Sequence, residues 1–319
     1  MVVKKVKSSF DTNSWNRKGS RMRTAIILAG GKGNRFQKAL QKDKLLVEVE
    51  GEAVLRKIAR VVADLAEELI LAVNEERRGR RYGELLSDIA KFKVITDIKP
   101  GLNTPLMGFV SGILASKGDY LLVVPGDAAY IRQDELRLLV QKVELEGFEC
   151  SVPLYEGYIQ TLFQALLAEK AKRIAKLLLR YNWRKPDGFI RGSSKIACLS
   201  LYPSSSGVSP FKTINSLEDV TRSRIASLLL REEIHLRLFD NIRLAEAHFG
   251  SEKEALQAYE KLIRTKNFFW AGLVSSTWER LKEFSARAFL MERDFLEKRG
   301  LNSLAFHAEK DARRILGIG

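Results

Sequence analysis

The sequence predicts an α/β protein: a three-layer arrangement in which a mostly parallel sheet lies between two layers of helices, followed by an extra helical C-terminal segment. Three observations carry this reading. Short apolar runs alternate with amphipathic helical stretches from residue 24 onward, the pattern of strands joined by right-handed βαβ crossovers. Two of the runs end in glycine-bearing loops, AIILAGGKGNRF at 25–36 and DYLLVVPGD at 119–127. In such sheets ligands sit beyond the carboxyl ends of the strands, so both loops are expected on one edge. Past about residue 235 the apolar spacing becomes helical almost throughout.

The elements follow in order. TAIIL at 24–28 is apolar and bounded by glycine, which suits a strand buried on both faces. A helix is expected over 54–65, with Val54, Ile58, Val61, Val62 and Leu65 on one stripe. LILAV at 69–73 is a strand, 82–90 a short helix, FKVIT at 92–96 a strand and 107–116 a helix. The run at 119–127 is a strand with its loop, followed by a helix at 134–146 and a strand at 149–154. Roughly 161–181 reads as helical, SKIACLSLY at 194–202 as a return strand, PSSSGVSP as a loop and FKTINSLEDV as the approach to a helix. Helices are expected at 251–265 and along an amphipathic stretch from Ser275 to Lys298. The division expected is a flexible basic tail at 1–23, a main domain at 24–235 and a helical C-terminal domain at 236–319. Phe268, Phe269, Trp270 and Trp278 are its expected anchors, because aromatic residues need burial.

Composition narrows the class. With 319 residues and 45% hydrophobic content the chain can bury a proper core. No run approaches 18 consecutive apolar residues, and the N-terminus lacks the apolar stretch of a signal peptide, so a cytoplasmic protein without a membrane role is expected. Cys150 and Cys198 are too few and too isolated for a disulfide framework or a zinc cluster. The net charge of +15 favours a polyanionic partner; residues 1–21 alone carry six Lys/Arg against one Asp. No basic strand interleaved with aromatics points to nucleic acid.

The glycine loop narrows it further. Gly30, Gly31 and Gly33 let the backbone turn sharply and leave its N–H groups unscreened, and Lys32 and Arg35 add charge, so a phosphate chain is the expected ligand. The dinucleotide pattern G-x-G-x-x-G fails because Phe36 stands where its third glycine belongs, and no Gly-Lys-Ser/Thr follows as a P-loop requires. No histidine precedes His235, and His235, His248 and His307 have no metal-ligand spacing. Phosphoryl-group chemistry, which asks for charge neutralisation and in-line positioning, needs none. Taken singly, Lys44 reads equally as a solvated lysine, Asp127 as a turn residue, Asn215 as a helix cap and Asp97 as the end of a strand.

Read together, four stretches resemble the nucleotidyltransferase superfamily, and within it molybdenum cofactor guanylyltransferase. LAGGKGNRF is similar to the superfamily's L-A-G-G-x-G-x-R-F/M signature, and DKLLVEVEGEAVL to its following K-x-L segment, with Gly51 and Leu55 seven and eleven residues beyond Lys44. VITDIKPGLNTPLMGFVSGI resembles a strand-Asp segment leading into G-P-L-A-G-I, VVPGDAAYI the metal-binding aspartate loop, and INSLEDV the late Asn-Thr-Pro-Glu-Asp motif. The resemblance implies a Rossmann-like fold of the nucleotide-diphospho-sugar transferase type over 24–235. It implies Mg²⁺-dependent transfer of a nucleoside monophosphate from GTP or CTP to a small phosphorylated acceptor, foremost molybdopterin. Lys44 and Arg35 would then be catalytic; Leu28, Ala29, Gly30, Gly31, Lys32, Gly33, Asp97, Pro105 and Leu106 would bind nucleotide; Asp127 and Asn215 would bind the metal. The alternatives are a sugar- or alcohol-phosphate acceptor, or a non-catalytic nucleotide- or nucleic-acid-binding protein. The C-terminal helices are expected either to form a homodimer or to cover the acceptor. The sequence departs from the pattern in the long Arg35–Lys44 spacing, in Thr104 for a glycine, in Glu52 and Ala53 for Lys-Pro, and in Leu217 for a proline. These departures bear on substrate identity.

Overall fold

The computed structural model describes residues 21–31, 43–98, 104–220 and 224–318. Its strands are β1 (Arg23–Leu28), β2 (Glu48–Val49), β3 (Glu52–Ala53), β4 (Glu68–Val73), β5 (Lys93–Thr96), β6 (Tyr120–Pro125), β7 (Cys150–Tyr155), β8 (Tyr158–Ile159), β9 (Gln164–Leu167), β10 (Lys195–Pro203) and β11 (Leu228–Arg237). The helices are α1 (Val54–Ala63), α2 (Glu76–Leu86), α3 (Pro105–Ala115), α4 (Gln133–Glu144), α5 (Ala168–Arg180) and α6 (Asp187–Gly192). Beyond the sheet come α7 (Ile242–Glu246), α8 (Glu252–Arg264), α9 (Phe268–Ser276), α10 (Lys282–Glu297) and α11 (Asn302–Ile315). No helix among the described residues is long and apolar enough to cross a membrane.

One sheet runs in the order β11-β10-β7-β9-β6-β1-β4-β5, with β8 on β7. β1 lies in parallel between β4 and β6, with Ile26 opposite Ile70 and Val123. β5 extends the parallel set beyond β4, and β10 lies parallel to β7. β9, β8 and β11 run antiparallel to their neighbours. The sheet is thus mixed and mostly parallel, as its alternation with helices dictates. Side chains leave successive strand residues on opposite faces. Ile26, Ile70, Leu121 and Val123 pack with α3 and α5, whereas Ala25, Ile27, Leu71, Leu122 and Val124 pack with α1, α2 and α4. The contact between β1 and α3 is close: a Cβ on Gly112 would lie 2.4 Å from the Ile26 side chain. That closeness requires glycine there.

Several elements differ from the sequence reading. The second helix starts at Glu76, not Tyr82. Its first turns, ERRGRR, lie outside the helix expected at 82–90, yet Gly79 and Tyr82 form a buried face with Arg78 half-buried beside them. The third starts at Pro105, whose fixed φ and missing N–H suit a first helical turn. Within 161–181, expected as helix, Gln164–Leu167 is a strand and only Ala168–Arg180 is helical. Periodicity alone does not separate a short apolar run in a strand from one in a helix. Where a helix was expected after FKTINSLEDV, residues 221–223 lie outside the described residues and the described chain runs on into the edge strand β11. There the register shifts opposite Ser200–Leu201, so Leu236 and Ile234 face one core and Leu230 and Leu228 the other. A bulge of this kind exchanges the faces without disturbing the sequence alternation. The stretch 275–298 breaks at 277–281 into the end of α9 and the start of α10.

Helices α7 to α11 share the apolar core on the α3/α5 face of the sheet. Phe268, Phe269 and Trp270 are buried and Trp278 is partly buried against the same core. The Trp270 indole N–H donates to the Gly192 carbonyl at 3.0 Å. Beside it the fully buried Arg191 guanidinium meets three carboxylates: Asp187 at 3.3 Å, Glu292 at 2.6 Å and Asp311 at 2.7 Å. Its Cζ lies 4.7 Å from the Phe269 ring centre and 5.2 Å from that of Trp183. Burial opposes the charge, but the surrounding acids more than compensate, and the guanidinium is held above its ordinary pKa. Removing it would leave the buried Glu292 carboxylate unpaired, while Asp311 keeps Lys185 and Asp187 keeps His307. Arg191→Met is therefore expected to destabilise the fold by about 3–5 kcal/mol, seen as a lower urea midpoint at unchanged slope. A chain ended at residue 235 is expected to be insoluble when its soluble fraction is measured, because it uncovers a whole apolar face of the sheet.

Candidate active site

The connections place a crevice at the carboxyl end of β1. From β1 the chain moves outward to β4 and β5, then returns through α3 to β6 on the other side of β1. At such a reversal the loops part and leave room for a ligand. Leu28, Ala29, Gly30 and Gly31 leave β1 at this point, and Gly126 and Asp127 leave β6 beside them. The Gly126 N–H donates to the Leu28 carbonyl at 2.9 Å, and a Cβ on Gly126 would lie 3.0 Å from that oxygen. On the other side, Ala29 N donates to the Ala72 carbonyl at 2.7 Å. Lys32, Gly33 and Arg35 lie outside the described residues.

Lys44 and Asp127 meet across this crevice. The Lys44 ammonium is hydrogen-bonded to Asp127 Oδ2, with the two side chains 15% and 13% exposed. A small separate core brings their loops together: Val49 and Val54 follow Lys44, Ala129 and Tyr130 follow Asp127, and Val208 and Ile214 come from the late loop. The Ile214 N–H donates to the Asp127 carbonyl at 2.9 Å, which sets the next residue, Asn215, beside the aspartate loop. Asn215 Nδ2 donates to Thr213 Oγ1 at 3.0 Å, leaving Oδ1 as the free end of an exposed amide. Asp219 closes this loop, accepting from the Asn215 and Ser216 amides at 2.8 Å each. Burial opposes its ionisation, yet the Lys212 ammonium at 2.5 Å and those amides hold its carboxyl down at about 2. Asp219 is an anion that shapes the loop.

Sequence reasoning missed a second cluster. Asp43 Oδ1 accepts from Leu45 N at 3.1 Å and so caps the short turn Lys44–Leu46. Its carboxylate also takes the Tyr82 hydroxyl and, at 3.4–3.5 Å, the Arg78 guanidinium. Arg78 further donates to the Gly31 carbonyl at 3.0 Å, Asn74 Oδ1 at 3.1 Å and the Tyr82 hydroxyl at 2.6 Å. The available signal was the i, i+4 spacing of Arg78 and Tyr82 on one helix face. The expected helix began only at Tyr82, so Arg78 fell outside it.

Asp97 follows β5. Its N–H donates to the Val73 carbonyl at 3.1 Å, while its Oδ1 is buried with no partner. Gly108 of α3 faces it: a Cβ there would lie 3.9 Å from that oxygen and 3.4 Å from Leu28. Burial pushes the Asp97 carboxyl up to about 6. Pro105 and Leu106 open α3; Pro105 is exposed, and Leu106 is fully buried, so its side chain serves the core. The Thr104 hydroxyl just ahead is buried without a partner. The histidines lie elsewhere. His307 bonds Asp187 at 3.0 Å, His248 lies 3.4 Å from Arg180, and His235 lies with Glu233 and Glu146. Lys142 bonds both of those glutamates, at 2.8 and 2.6 Å, so an ammonium stands where a metal would need to be.

Fold and crevice together define a nucleotide-handling α/β domain with a glycine loop and a Lys–Asp pair on one sheet edge. The chain belongs to the family described as MobA-like NTP transferase domain, a nucleotidyltransferase family that residues 25–191 match, just over half of the chain. It is 32% identical over 163 residues to molybdenum cofactor guanylyltransferase of a Shewanella species, covering 51% of this chain and 78% of that protein. It is 29% identical over 140 residues to a probable molybdenum cofactor guanylyltransferase of Pelotomaculum thermopropionicum, covering 44% and 61%. Among solved structures it is similar to molybdopterin-guanine dinucleotide biosynthesis protein A of Archaeoglobus fulgidus, at 14% identity and a TM-score of 0.45 over 56% of this chain and 83% of that one. It is also similar to 4-diphosphocytidyl-2C-methyl-D-erythritol synthase of Anaerococcus prevotii, at 16% identity and a TM-score of 0.47 over 63% and 95%.

The raised Asp97 pKa gives a signed expectation. The unfolded chain loses this proton near the ordinary carboxyl pKa of 3.8 and the folded chain only near 6. The folded state therefore holds more protons between those values, and this contribution to stability falls as pH rises through the window. Asp97→Asn is expected to melt above wild type at about pH 7.5, the difference shrinking toward about pH 4. Thermal melts at the two pH values check it; a difference that does not change with pH refutes it.

Proposed function

We propose that this chain transfers a nucleoside monophosphate from GTP or CTP to the phosphate of molybdopterin. An acceptor phosphate oxygen attacks the α-phosphorus, the α–β P–O bond breaks and pyrophosphate leaves. The observation that carries the reading is the Lys44–Asp127 pair, set between the loops that follow β1 and β6. The backbone N–H groups of the glycine loop, with Lys32 and Arg35, receive the triphosphate. Lys44 exchanges its aspartate partner for phosphate oxygens and stabilises charge that develops on transfer. The orphaned Oδ1 of Asp97 accepts a hydrogen bond from a donor on the nucleotide, and α3 backs this side of the site. The names of the relatives, taken with the strand-Asp and late Asn motifs, favour molybdopterin over a sugar phosphate.

Asp127 and Asn215 fit a divalent cation: a hard carboxylate oxygen and a neutral amide oxygen, with Asn215 Oδ1 left over by the Nδ2 bond to Thr213. Mg²⁺ takes few protein ligands and completes its shell with phosphates and water. When bound it would neutralise phosphate charge. Lys44 offers Asp127 a resident positive charge that the cation would replace, and the small core beneath keeps both ligands' loops in place during the exchange.

Asp127→Ala is expected to abolish turnover together with the Mg²⁺ dependence of GTP or CTP binding, with little change in the melting temperature of the unliganded protein. Lys44→Ala is expected to lower turnover by about 10²-fold or more while the fold survives. Calorimetry with Mg²⁺ and with excess chelator, and mass spectrometry of the product formed from molybdopterin, read these outcomes. Equal nucleotide affinity in both conditions refutes the metal ligands. Transfer to a sugar or alcohol phosphate instead of molybdopterin refutes the acceptor, and binding of RNA or DNA without any nucleotide binding refutes the enzyme reading.

A further inference from the structure

We propose that Arg78 is a positioning residue that sets the glycine loop and Lys44 as one unit, an inference that rests on the nucleotidyl transfer proposed above. Arg78 lies on α2, one helix removed from both motifs, and its side chain is only 19% exposed. It joins the end of β4, just before its own helix, to two distant pieces of chain, 47 and 35 residues away. Toward β1 it holds the Gly31 carbonyl at 3.0 Å, and toward the end of β4 it holds Asn74 Oδ1 at 3.1 Å. Toward the lysine turn it reaches Asp43, whose carboxylate is fixed from the other side by the Tyr82 hydroxyl and by Leu45 N. Tyr82 is fully buried, and its ring centre lies 5.4 Å from the Arg78 Cζ. Burial and the neighbouring Asp43 carboxylate push its phenol up, so it stays a neutral donor.

The dipeptide Asp43-Lys44 is therefore held from opposite sides. Asp43 is tied to α2, and Lys44 is tied to Asp127 at the end of β6. Without the Asp43 contacts, the turn over 44–46 loses its cap and Lys44 keeps a single anchor, the carboxylate it is to release. The Gly31 carbonyl matters for a second reason. A carbonyl dipole turned toward a bound triphosphate opposes it, and Arg78 occupies that oxygen with a charged donor. A planar guanidinium makes all these bonds at once, which an ammonium on a flexible stem does not.

This distinguishes positioning from simple attraction. If Arg78 acted by its charge on the triphosphate, lysine would serve as well. The test is calorimetric binding of GTP–Mg²⁺ and CTP–Mg²⁺, using the tighter of the two, to wild type, Arg78→Met, Arg78→Lys, Lys44→Ala and the double variant Arg78→Met/Lys44→Ala. Arg78→Met is expected to weaken binding about tenfold, as loss of charge-assisted hydrogen bonds does. Arg78→Lys is expected to give no more than a small part of this back. In the Lys44→Ala background the same change is expected to cost less than about threefold, because residues that act as a unit are non-additive. Tyr82→Phe, which removes a single hydroxyl, is expected to weaken binding severalfold, and covers the case in which Arg78→Met does not fold. Wild-type affinity in Arg78→Lys, an unaltered factor in the Lys44→Ala background, or no effect of Arg78→Met or Tyr82→Phe overturns the inference while leaving the transferase reading intact. Failure of the wild-type protein to bind either nucleotide overturns that reading, and this inference with it.

Discussion

Strand β1 has hydrogen-bonded neighbours on both sides, and the chain visits those neighbours in opposite senses. β4 and β5 are laid down on one side before α3 carries the chain back to β6 on the other. The consequence is steric. Loops leaving β1 and β6 at their carboxyl ends have no crossover helix between them, so a space opens that no local choice of side chain has to create. The Lys44–Asp127 pair stands at the rim of that space. The sheet supplies rigidity: β1 is paired with β6 over its whole length and with β4 from Thr24 to Leu28, and its core side chains interdigitate with two helical layers. A site built on such an element is more exact than one built on loops alone.

Loops nevertheless carry Lys44, Asp127 and Asn215, and a small apolar cluster compensates. Val49, Val54, Ala129, Tyr130, Val208 and Ile214 come from the three segments that carry these residues and make a core of their own. The Tyr130 hydroxyl donates to the Asp219 carbonyl, and the Ile214 amide to that of Asp127. The residue types are ordinary; their separation in sequence makes the arrangement non-local and costly in loop-closure entropy until the sheet has formed. Asp219 then fixes the amide geometry at Asn215 by local capping.

How much of this was legible in the sequence depends on range. The strand positions and the two loops at 25–36 and 119–127 were readable from apolar runs and glycine, because strands buried on both faces leave an uninterrupted local signal. Lys44 and Asn215 were singled out through motif spacing, because neither has a local signature of its own. Arg78 carried only a local hint, its spacing from Tyr82: its partners Gly31 and Asp43 lie 47 and 35 residues away, and in sequence it is one of several arginines in a run. β9 and β11 were missed for a related reason. A four-residue apolar run and a bulged edge strand acquire their identity from the strands they pair with, and those pairs are antiparallel insertions in an otherwise parallel pattern. Tertiary pairing there overrides local preference.

The C-terminal layer shows how charge can specify an interface that apolar burial alone leaves underdetermined. Phe268, Phe269, Trp270 and their neighbours bury well against the α3/α5 face, yet apolar contact has little directional preference. Arg191 has one. Its carboxylate partners come from three different helices: Asp187 from α6, Glu292 from α10 and Asp311 from α11. Any sliding of α10 or α11 strands a charge in the interior, a cost far larger than the loss of a few apolar contacts. With the register so fixed, α11 reaches the ligand edge, where Ser303 Oγ accepts from Ile159 N at 2.9 Å and steadies the β7–β8 hairpin. Tyr155 at the base of that hairpin packs edge-on against Phe211, with ring centres 6.0 Å apart, in the loop that continues to Ile214 and Asn215. Among the described residues, the contact at Ile159 is where the added helices meet this edge of the sheet.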